Sequence, residues 1–236
     1  PQDARRALSA ALTRGSDSIA AHTLAIELLE GEDRLKSVAR LVELDGDAAW
    51  PAVRRLDLRC ELAQRALQQG KAPRAHELLR EGRSLGHSAL WARVMERTLE
   101  ALGDSNGLAD LWLTEARGSD TPWRDQALVE RVRRAATFWQ QTGVVAREIE
   151  ALDLLLERSP EPELLERAIE VAAELKDRER FGRYVEQQLA AAAAVDERSA
   201  LALRHAPMFR ARFDDQDTGA RLLERTFATA PSMELA

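Results

Sequence analysis

The amino-acid sequence predicts an all-α protein made of successive antiparallel helix hairpins, on three observations. Apolar residues recur at intervals of three and four along the 236 residues, which is the spacing of helices with one buried face. β-Branched and aromatic residues never alternate over the length of a strand. Turn signals also recur every 33 to 40 residues, which indicates one helix–turn–helix unit repeated along the chain.

The segment 121–142 shows how a hairpin is predicted. Leu128 and Trp139 fall on one face of a helix. Pro122 lies in the first turn, where proline is tolerated, and Gly143 follows the last apolar position as a helix stop. A second helix is predicted directly after this glycine, so that the two helices form a hairpin.

Six turn signals separate the two helices of successive hairpins. They are Gly31-Glu32-Asp33, Gly70-Lys71, Gly103-Asp104, Gly143, Lys176-Asp177 and Asp214-Asp215. A repeat of this length is typical of an α-solenoid, in which no unit buries its apolar face alone. No Ser-, Gly- or Pro-rich linker interrupts the series, so we expect one continuous array of about six hairpins over residues 1–236. Because the chain begins at Pro1 rather than Met, we expect it to be a fragment of a longer protein.

Composition excludes several classes of protein. The formal net charge is −6, whereas nonspecific nucleic-acid binding needs a positive surface. One cysteine excludes a disulfide framework within the chain, and no apolar run reaches the roughly 20 residues that span a bilayer. We therefore expect a soluble protein of the cytoplasm, with the periplasm left open. Of the 34 basic residues only three are lysine, a usage typical of GC-rich bacterial genes.

Several segments resemble the tetratricopeptide repeats, a family of 34-residue helical hairpins. The matching residues are the run from Gly70 to Ala75 with Leu78 and Leu79, then Ala136, Gly143 and Pro160, then Gly219, Leu223, Thr226 and Pro231. Two residues depart from the family pattern: Phe181 replaces a small residue, and Pro207 interrupts a first helix. The resemblance implies a right-handed superhelix in which the first helix of each hairpin lines a concave groove for a partner protein.

Residues that could support catalysis are scattered. No phosphate-binding loop is present, and His22, His76, His87 and His205 lie in different segments without an H-E-x-x-H motif. Cys60 lies among apolar positions of a helix and lacks a nearby histidine, so we interpret it as a packed thiol. We expect no catalytic activity, no metal and no cofactor.

Tryptophans allow two interpretations. Trp50, Trp91, Trp112, Trp123 and Trp139 lie in or near helices that form hairpins, where large aromatic residues pack at helix crossings. The alternative is an exposed tryptophan that anchors a docked peptide. We favour core packing for each of them.

Charge patterning predicts the candidate binding surface. On the helix predicted over 161–175, four glutamates at spacings of three and four share the side opposite Leu165 and Ile169. These glutamates are Glu163, Glu166, Glu170 and Glu174. Preceding first helices are basic instead, through Arg93, Arg97, Arg131, Arg133 and Arg134. A groove with this pattern orients a charged partner.

A second interpretation treats these charges as an ordinary solvated surface. Glu130 is spaced to pair with Arg133 or Arg134 on its own helix, and Arg167 interrupts the acidic stripe. Such pairs contribute about 0.2–0.5 kcal/mol each and are common on exposed helices. Both interpretations of the charged faces stay open at the level of sequence.

The predicted function is a non-catalytic scaffold that binds a peptide or helix of a partner protein in the concave groove. One alternative is an architectural segment that self-associates through its basic and acidic ends. Another is an RNA-binding array similar to the pentatricopeptide repeats, which the acidic stripe disfavours. The resemblance also implies a Lys/Asn clamp for chaperone C-termini, but Cys60 and Gln64 occupy the first clamp positions and the chain has one asparagine.

Overall fold

The computed structural model describes residues 2–13, 18–44, 50–118, 125–158 and 160–228. Within these ranges the chain is helical throughout and contains no β-strand, which confirms the predicted all-α class for the described residues. The helices are α1 (Gln2–Thr13), α2 (Ile19–Leu28), α3 (Gly31–Glu43), α4 (Ala52–Gln68), α5 (Ala72–Gly82), α6 (Ala89–Leu102), α7 (Ser105–Gly118), α8 (Gln126–Thr142), α9 (Val145–Arg158), α10 (Pro162–Glu174), α11 (Arg178–Ala191), α12 (Val195–Phe213) and α13 (Gln216–Ala228).

Five of the six predicted turns lie between consecutive helices. Gly31-Glu32-Asp33 instead forms the first turn of α3, because the chain already leaves α2 at Leu28 and Glu30 is the N-cap of α3. The helix before each turn (α2, α4, α6, α8, α10, α12) is called a first helix here, and the helix after it a second helix. Each of α2, α4, α8, α10 and α12 packs against the helix that follows it. Gly103 and Gly143 adopt left-handed conformations with φ of 69° and 72°, which close a helix with little strain in glycine. Lys176 and Asp214 adopt the same conformation at the later turns.

Two helix ends differ in detail from the sequence prediction. α8 begins at Gln126, because the Asp125 carboxylate accepts hydrogen bonds from the backbone N–H groups of Ala127 and Leu128 at 2.9 and 3.3 Å. Pro122 lies outside the described residues, as does Pro231. Pro207 lies inside α12, which continues through it to Phe213.

The chain divides into two compact units, Pro1–Leu111 and Trp112–Ala236, with the boundary inside α7. The first unit contains a core around Val38, Leu41 and Leu58 and another around Leu79 and Trp91. The second unit contains a large core to which α9, α10, α11, α12 and α13 contribute. The expectation of a single continuous array stays a prediction.

Most of the tryptophans that the structure describes are buried. Trp91, Trp112 and Trp139 are buried, and the Trp91 indole N–H donates to the Leu79 carbonyl at 3.0 Å. These burials confirm the core interpretation for three tryptophans. Trp50 is half-buried, with the Arg54 guanidinium 5.7 Å from its ring centre, and Trp123 lies outside the described residues.

A backbone contact joins α12 to α13. A Cβ atom at Gly219 would lie 2.5 Å from the carbonyl oxygen of Ala206, so only glycine permits this approach. The resemblance places a small residue at this position of a second helix. Phe181 stands 38 residues earlier on α11, where it is fully buried and packs edge-to-face on Phe209 with ring centres 5.0 Å apart.

Replacing Gly219 by alanine is expected to destabilise the second unit by about 1–3 kcal/mol, because the new methyl group collides with the Ala206 carbonyl. The matched control is Gly118→Ala, since nothing lies within 4 Å of a Cβ built there. The control is expected to leave the stability unchanged or to raise it slightly. Urea unfolding followed by circular dichroism measures both, and equal midpoints for the two variants contradict the close approach.

A buried histidine links α11 to α12. His205 is 3% exposed, and its Nε2 lies 2.8 Å from Oε1 of Gln188. Its Nδ1 is also buried and has no hydrogen-bond partner among the described residues. Burial lowers the pKa of His205 to about 4, with a smaller contribution from the Arg204 charge and an opposing one from Glu166.

The second unit is therefore expected to lose stability as the pH falls from about 6.5 to about 4. In this interval the unfolded chain binds a proton at position 205 and the folded chain does not, so stability present above pH 6.5 falls by up to about 3 kcal/mol. His205→Asn removes the titrating group and is expected to flatten this part of the curve. Parallel stability–pH curves for the two proteins contradict the assignment.

Candidate functional site

The four glutamates of α10 form an exposed face, as the sequence predicts. Glu163, Glu166, Glu170 and Glu174 are all exposed. On the opposite side of the helix, residues including Leu165 and Ile169 are buried in the core. The helical spacing thus places the acidic face toward solvent because the apolar face is used for packing.

The predicted basic residues differ in exposure. Arg93, Arg97 and Arg134 are exposed, whereas Arg131 and Arg133 are half-buried. Arg93 and Arg97 lie on α6 in the first unit. The basic residues of α8 lie in the same unit as the acidic face of α10, so these two helices define the candidate site.

Two ion pairs join first helices in the second unit. Arg133 on α8 pairs with Glu161, the residue that precedes α10. Arg204 on α12 contacts Glu166 on α10 at 3.1 Å. Glu130 accepts a hydrogen bond from Gln126 at 3.2 Å, and Arg133 reaches the next first helix rather than Glu130. Helices α8, α10 and α12 are therefore connected in that order through their charged residues.

Arg167 has a structural role within the acidic stripe. Its guanidinium donates two hydrogen bonds to the carboxylate of Glu148 on α9, at 2.6 and 3.0 Å. It also donates one to Glu170 at 3.1 Å. The Glu148 side chain is 3% exposed, and its hydrogen bond raises the pKa of Arg167 above the ordinary arginine value. This bidentate ion pair connects α9, a second helix, to α10, the first helix of the next hairpin.

Arginines also bridge second helices to one another. Asp153 on α9 accepts hydrogen bonds from Arg180, Arg183 and the Tyr184 hydroxyl on α11. Further bridges between second helices are Arg117–Glu150, Arg178–Asp215 and Arg225–Glu186. Burial and the Asp153 carboxylate both raise the pKa of Tyr184 above its ordinary value. The sequence pattern does not indicate these bridges, and the excess of arginine over lysine is the one signal of them that the sequence carries.

Some charged residues of the predicted site make no ion pair within the described residues. Glu163 and Glu174 on α10 and Arg134 on α8 are exposed and make no salt bridge there. In contrast, Glu166 and Glu170 are neutralised by Arg204 and Arg167. The charges available to another molecule are therefore fewer than the sequence pattern indicates.

The sulfur and imidazole groups do not converge on a reaction centre. Cys60 is fully buried in a hydrophobic cluster with Leu56 and Ala63, and burial raises the pKa of its thiol to about 11. This is the packed thiol that the sequence predicts. Among the described residues, no three His, Cys, Asp or Glu side chains gather in a metal-binding arrangement.

A cleft of about 480 Å³ lies between α3, α4 and α5 in the first unit. Leu35, Leu62 and Leu78 line its interior. On its rim, Glu32 pairs with Arg65, and Arg74 pairs with Glu77 on its own helix. The cleft thus combines an apolar strip with charged residues of both signs, which include Lys71 and Glu81.

Comparisons with known proteins add no relative. No family model matches the chain, and no curated protein is significantly similar to it in sequence. Every helix within the described ranges is too short or too polar to cross a lipid bilayer.

Removing the cation beside Glu148 is expected to be strongly destabilising. Arg167→Met leaves a buried carboxylate without a counter-charge, which reduces the free energy of unfolding by about 3–5 kcal/mol. The double variant Glu148→Leu/Arg167→Met is expected to recover most of that loss, because neither charge remains.

The control is Arg204→Met, which breaks an ion pair whose side chains are 60% and 53% exposed and is expected to reduce stability by at most about 1 kcal/mol. Thermal and urea unfolding measure all three variants. Similar losses for Arg167→Met and Arg204→Met contradict the structural role of the buried pair.

Proposed function

We propose that this chain is a non-catalytic scaffold that binds a charged segment of a partner protein on the first-helix face of its second unit. The acidic face of α10 supports the proposal most directly. It presents Glu163 and Glu174 unpaired among the described residues, separated by three helical turns on one exposed side. A partner segment that carries Lys or Arg at two matching positions would complete these charges.

Neighbouring helices supply the edges of this surface. Arg134 on α8 and Arg212 on α12 are exposed as well. A partner with a basic centre and acidic flanks therefore has complementary charge across all three first helices. Complementarity of this kind contributes chiefly to the rate and orientation of association.

The proposal also includes the way in which the helix pairs are arranged. Within each unit, the helix pairs are proposed to be turns of a right-handed, tetratricopeptide-like α-solenoid. Packing of each pair against the next supports it, as in the contacts of α9 with α10 and of α11 with α12. A solenoid suits a binding function because its repeated first helices provide one continuous surface.

The exposed glutamates of α10 disfavour the alternative function, which is RNA binding. A nucleic-acid surface gains affinity from cations that neutralise phosphates. α10 instead places Glu163 and Glu174 at the centre of the surface. A protein partner of positive charge is the better fit.

The proposal predicts that the variant Glu163→Lys/Glu174→Lys loses the bound partner. Reversal of two unpaired charges is expected to weaken association by about tenfold or more, and the wild-type interaction itself is expected to weaken with added salt. The measurement is affinity capture from a lysate of the source organism at low and high ionic strength, with captured proteins quantified by mass spectrometry.

The matched control is Glu157→Lys/Glu179→Lys, which makes the same charge change at exposed positions of the second helices α9 and α11. The control is expected to retain the partner. Loss from both variants indicates a nonspecific effect of net charge, and retention by both means that α10 does not form the binding surface. Either result overturns the proposed site.

A further inference from the structure

The α3–α5 cleft, which α3, α4 and α5 line in the first unit, contains an apolar strip that is only partly covered. The strip consists of Leu35, Ala39 and Val42 on α3 with Leu62 on α4, and all four residues are half-buried. The three residues of α3 follow one another at spacings of four and three, so they share one face of the helix over about 10 Å. A strip of this length accommodates apolar side chains one and two turns apart on another helix.

Helices α3 and α5 run in the same direction along the two sides of the cleft. The ion pairs Glu32–Arg65 and Arg34–Glu61 hold α3 antiparallel to α4, because the later residue of α3 pairs with the earlier residue of α4. A turn of three residues reverses the chain between α4 and α5, which pack on each other. The N-terminal ends of α3 and α5 therefore lie at one end of the cleft, and their C-terminal ends lie at the other.

Unpaired charges of opposite sign mark these two ends. Lys71 precedes α5, and Glu81 lies in its last turn; both are exposed and line the cleft. Neither makes an ion pair within the described part of the chain. The dipoles of α3 and α5 add positive potential at the Lys71 end. The cleft therefore has a basic end and an acidic end, about 15 Å apart along α5.

Other charges on the rim are paired on their own helices. The pairs are Lys36–Asp33, Arg40–Glu43 and Arg74–Glu77. None of these three pairs spans the cleft. In the second unit, by contrast, Arg178–Asp215 and Arg225–Glu186 join neighbouring second helices directly. The apolar strip between α3 and α5 is thus not closed by the ion pairs on its rim.

The separation of the two charges fits a helix. Residues eleven positions apart on a helix lie on the same side of it and about 16 Å apart. A helix with opposite charges at two such positions reaches Lys71 and Glu81 together while its apolar residues cover the strip. A small zwitterion is too short to span both charges.

We propose that the α3–α5 cleft binds an amphipathic helix of a partner protein that carries an acidic residue in its first turn and a basic residue in its last turn. Its apolar side chains pack along the strip, where the small Ala39 leaves room for a larger one. Its acidic residue pairs with Lys71 and its basic residue with Glu81, so the bound helix runs in the same direction as α3 and α5. This order of charges is also the one that stabilises a helix by itself.

Selection from peptide libraries on the full chain tests the proposal. Each peptide has about 15 residues, or four helical turns, with Leu, Ile, Val, Met or Phe at three positions spaced by four and three. One library carries Glu in the first turn and Lys in the last turn, and the other carries the same residues exchanged. The wild-type chain is expected to enrich the first library. Ala39→Glu, which places a charge in the strip, is expected to enrich neither.

Exchange of the two unpaired charges tests the direction of binding. Lys71→Glu/Glu81→Lys keeps the net charge and gives each end of α5 the sign that its dipole favours, so folding is expected to be retained. In fluorescence anisotropy this variant is expected to bind a selected peptide at least about tenfold more weakly and to prefer that peptide with its charges exchanged. The matched control is Arg80→Glu/Glu100→Arg, at exposed residues outside the cleft, which is expected to bind like the wild type.

The site is independent of the surface proposed on α10. Glu163→Lys/Glu174→Lys is therefore expected to bind the selected peptide as the wild type does, and failure of one proposal leaves the other intact. Circular dichroism establishes that each variant is folded.

Three results overturn the proposal. The first is that neither library yields a peptide that binds the wild-type chain more tightly than it binds Ala39→Glu. The second is that the wild-type chain and Lys71→Glu/Glu81→Lys prefer the same order of charges. The third is self-association of the wild-type chain in sedimentation velocity that Ala39→Glu abolishes, because a second copy then occupies the cleft.

Discussion

Each helix pair of this chain has an apolar side that only a neighbouring pair can cover, and the described structure depends on that constraint. Leu165 and Ile169 of α10 are buried in one cluster with residues of α9 and α11, the two helices that contact α10. Burial of a helix pair thus depends on the pair next to it, as expected for units that pack in series.

Arginine is the residue that connects the stacked helices. Its planar guanidinium can reach a carboxylate on another helix and form two hydrogen bonds, which a lysine ammonium does with less directional control. Arg167 does this at a buried glutamate, while Arg133 and Arg204 each donate one hydrogen bond to a glutamate near the surface. The buried pair of Arg167 and Glu148 restricts the geometry of the contact between α9 and α10, because an uncompensated charge at this buried position is costly. The exposed pairs contribute little stability, but they determine which charges remain for a partner.

Ion pairs within the fold reduce the number of charged residues that are available to a partner protein. Of the four glutamates on α10, two are neutralised by arginines of the same chain. Glu163 and Glu174 stay available at the two ends of the stripe.

The sequence by itself determined the helices, the turns between them and the exposure of the α10 glutamates, because these follow from local periodicity and from left-handed turn residues such as Gly103 and Gly143. Only the tertiary structure decided the partners of the charges. The spacing on α8 indicated a pair of Glu130 with Arg133 or Arg134, yet Arg133 pairs with Glu161, 28 positions away in the chain. Ion pairs between helices depend on how the helices stack, and stacking is fixed by packing contacts that a one-dimensional pattern does not contain.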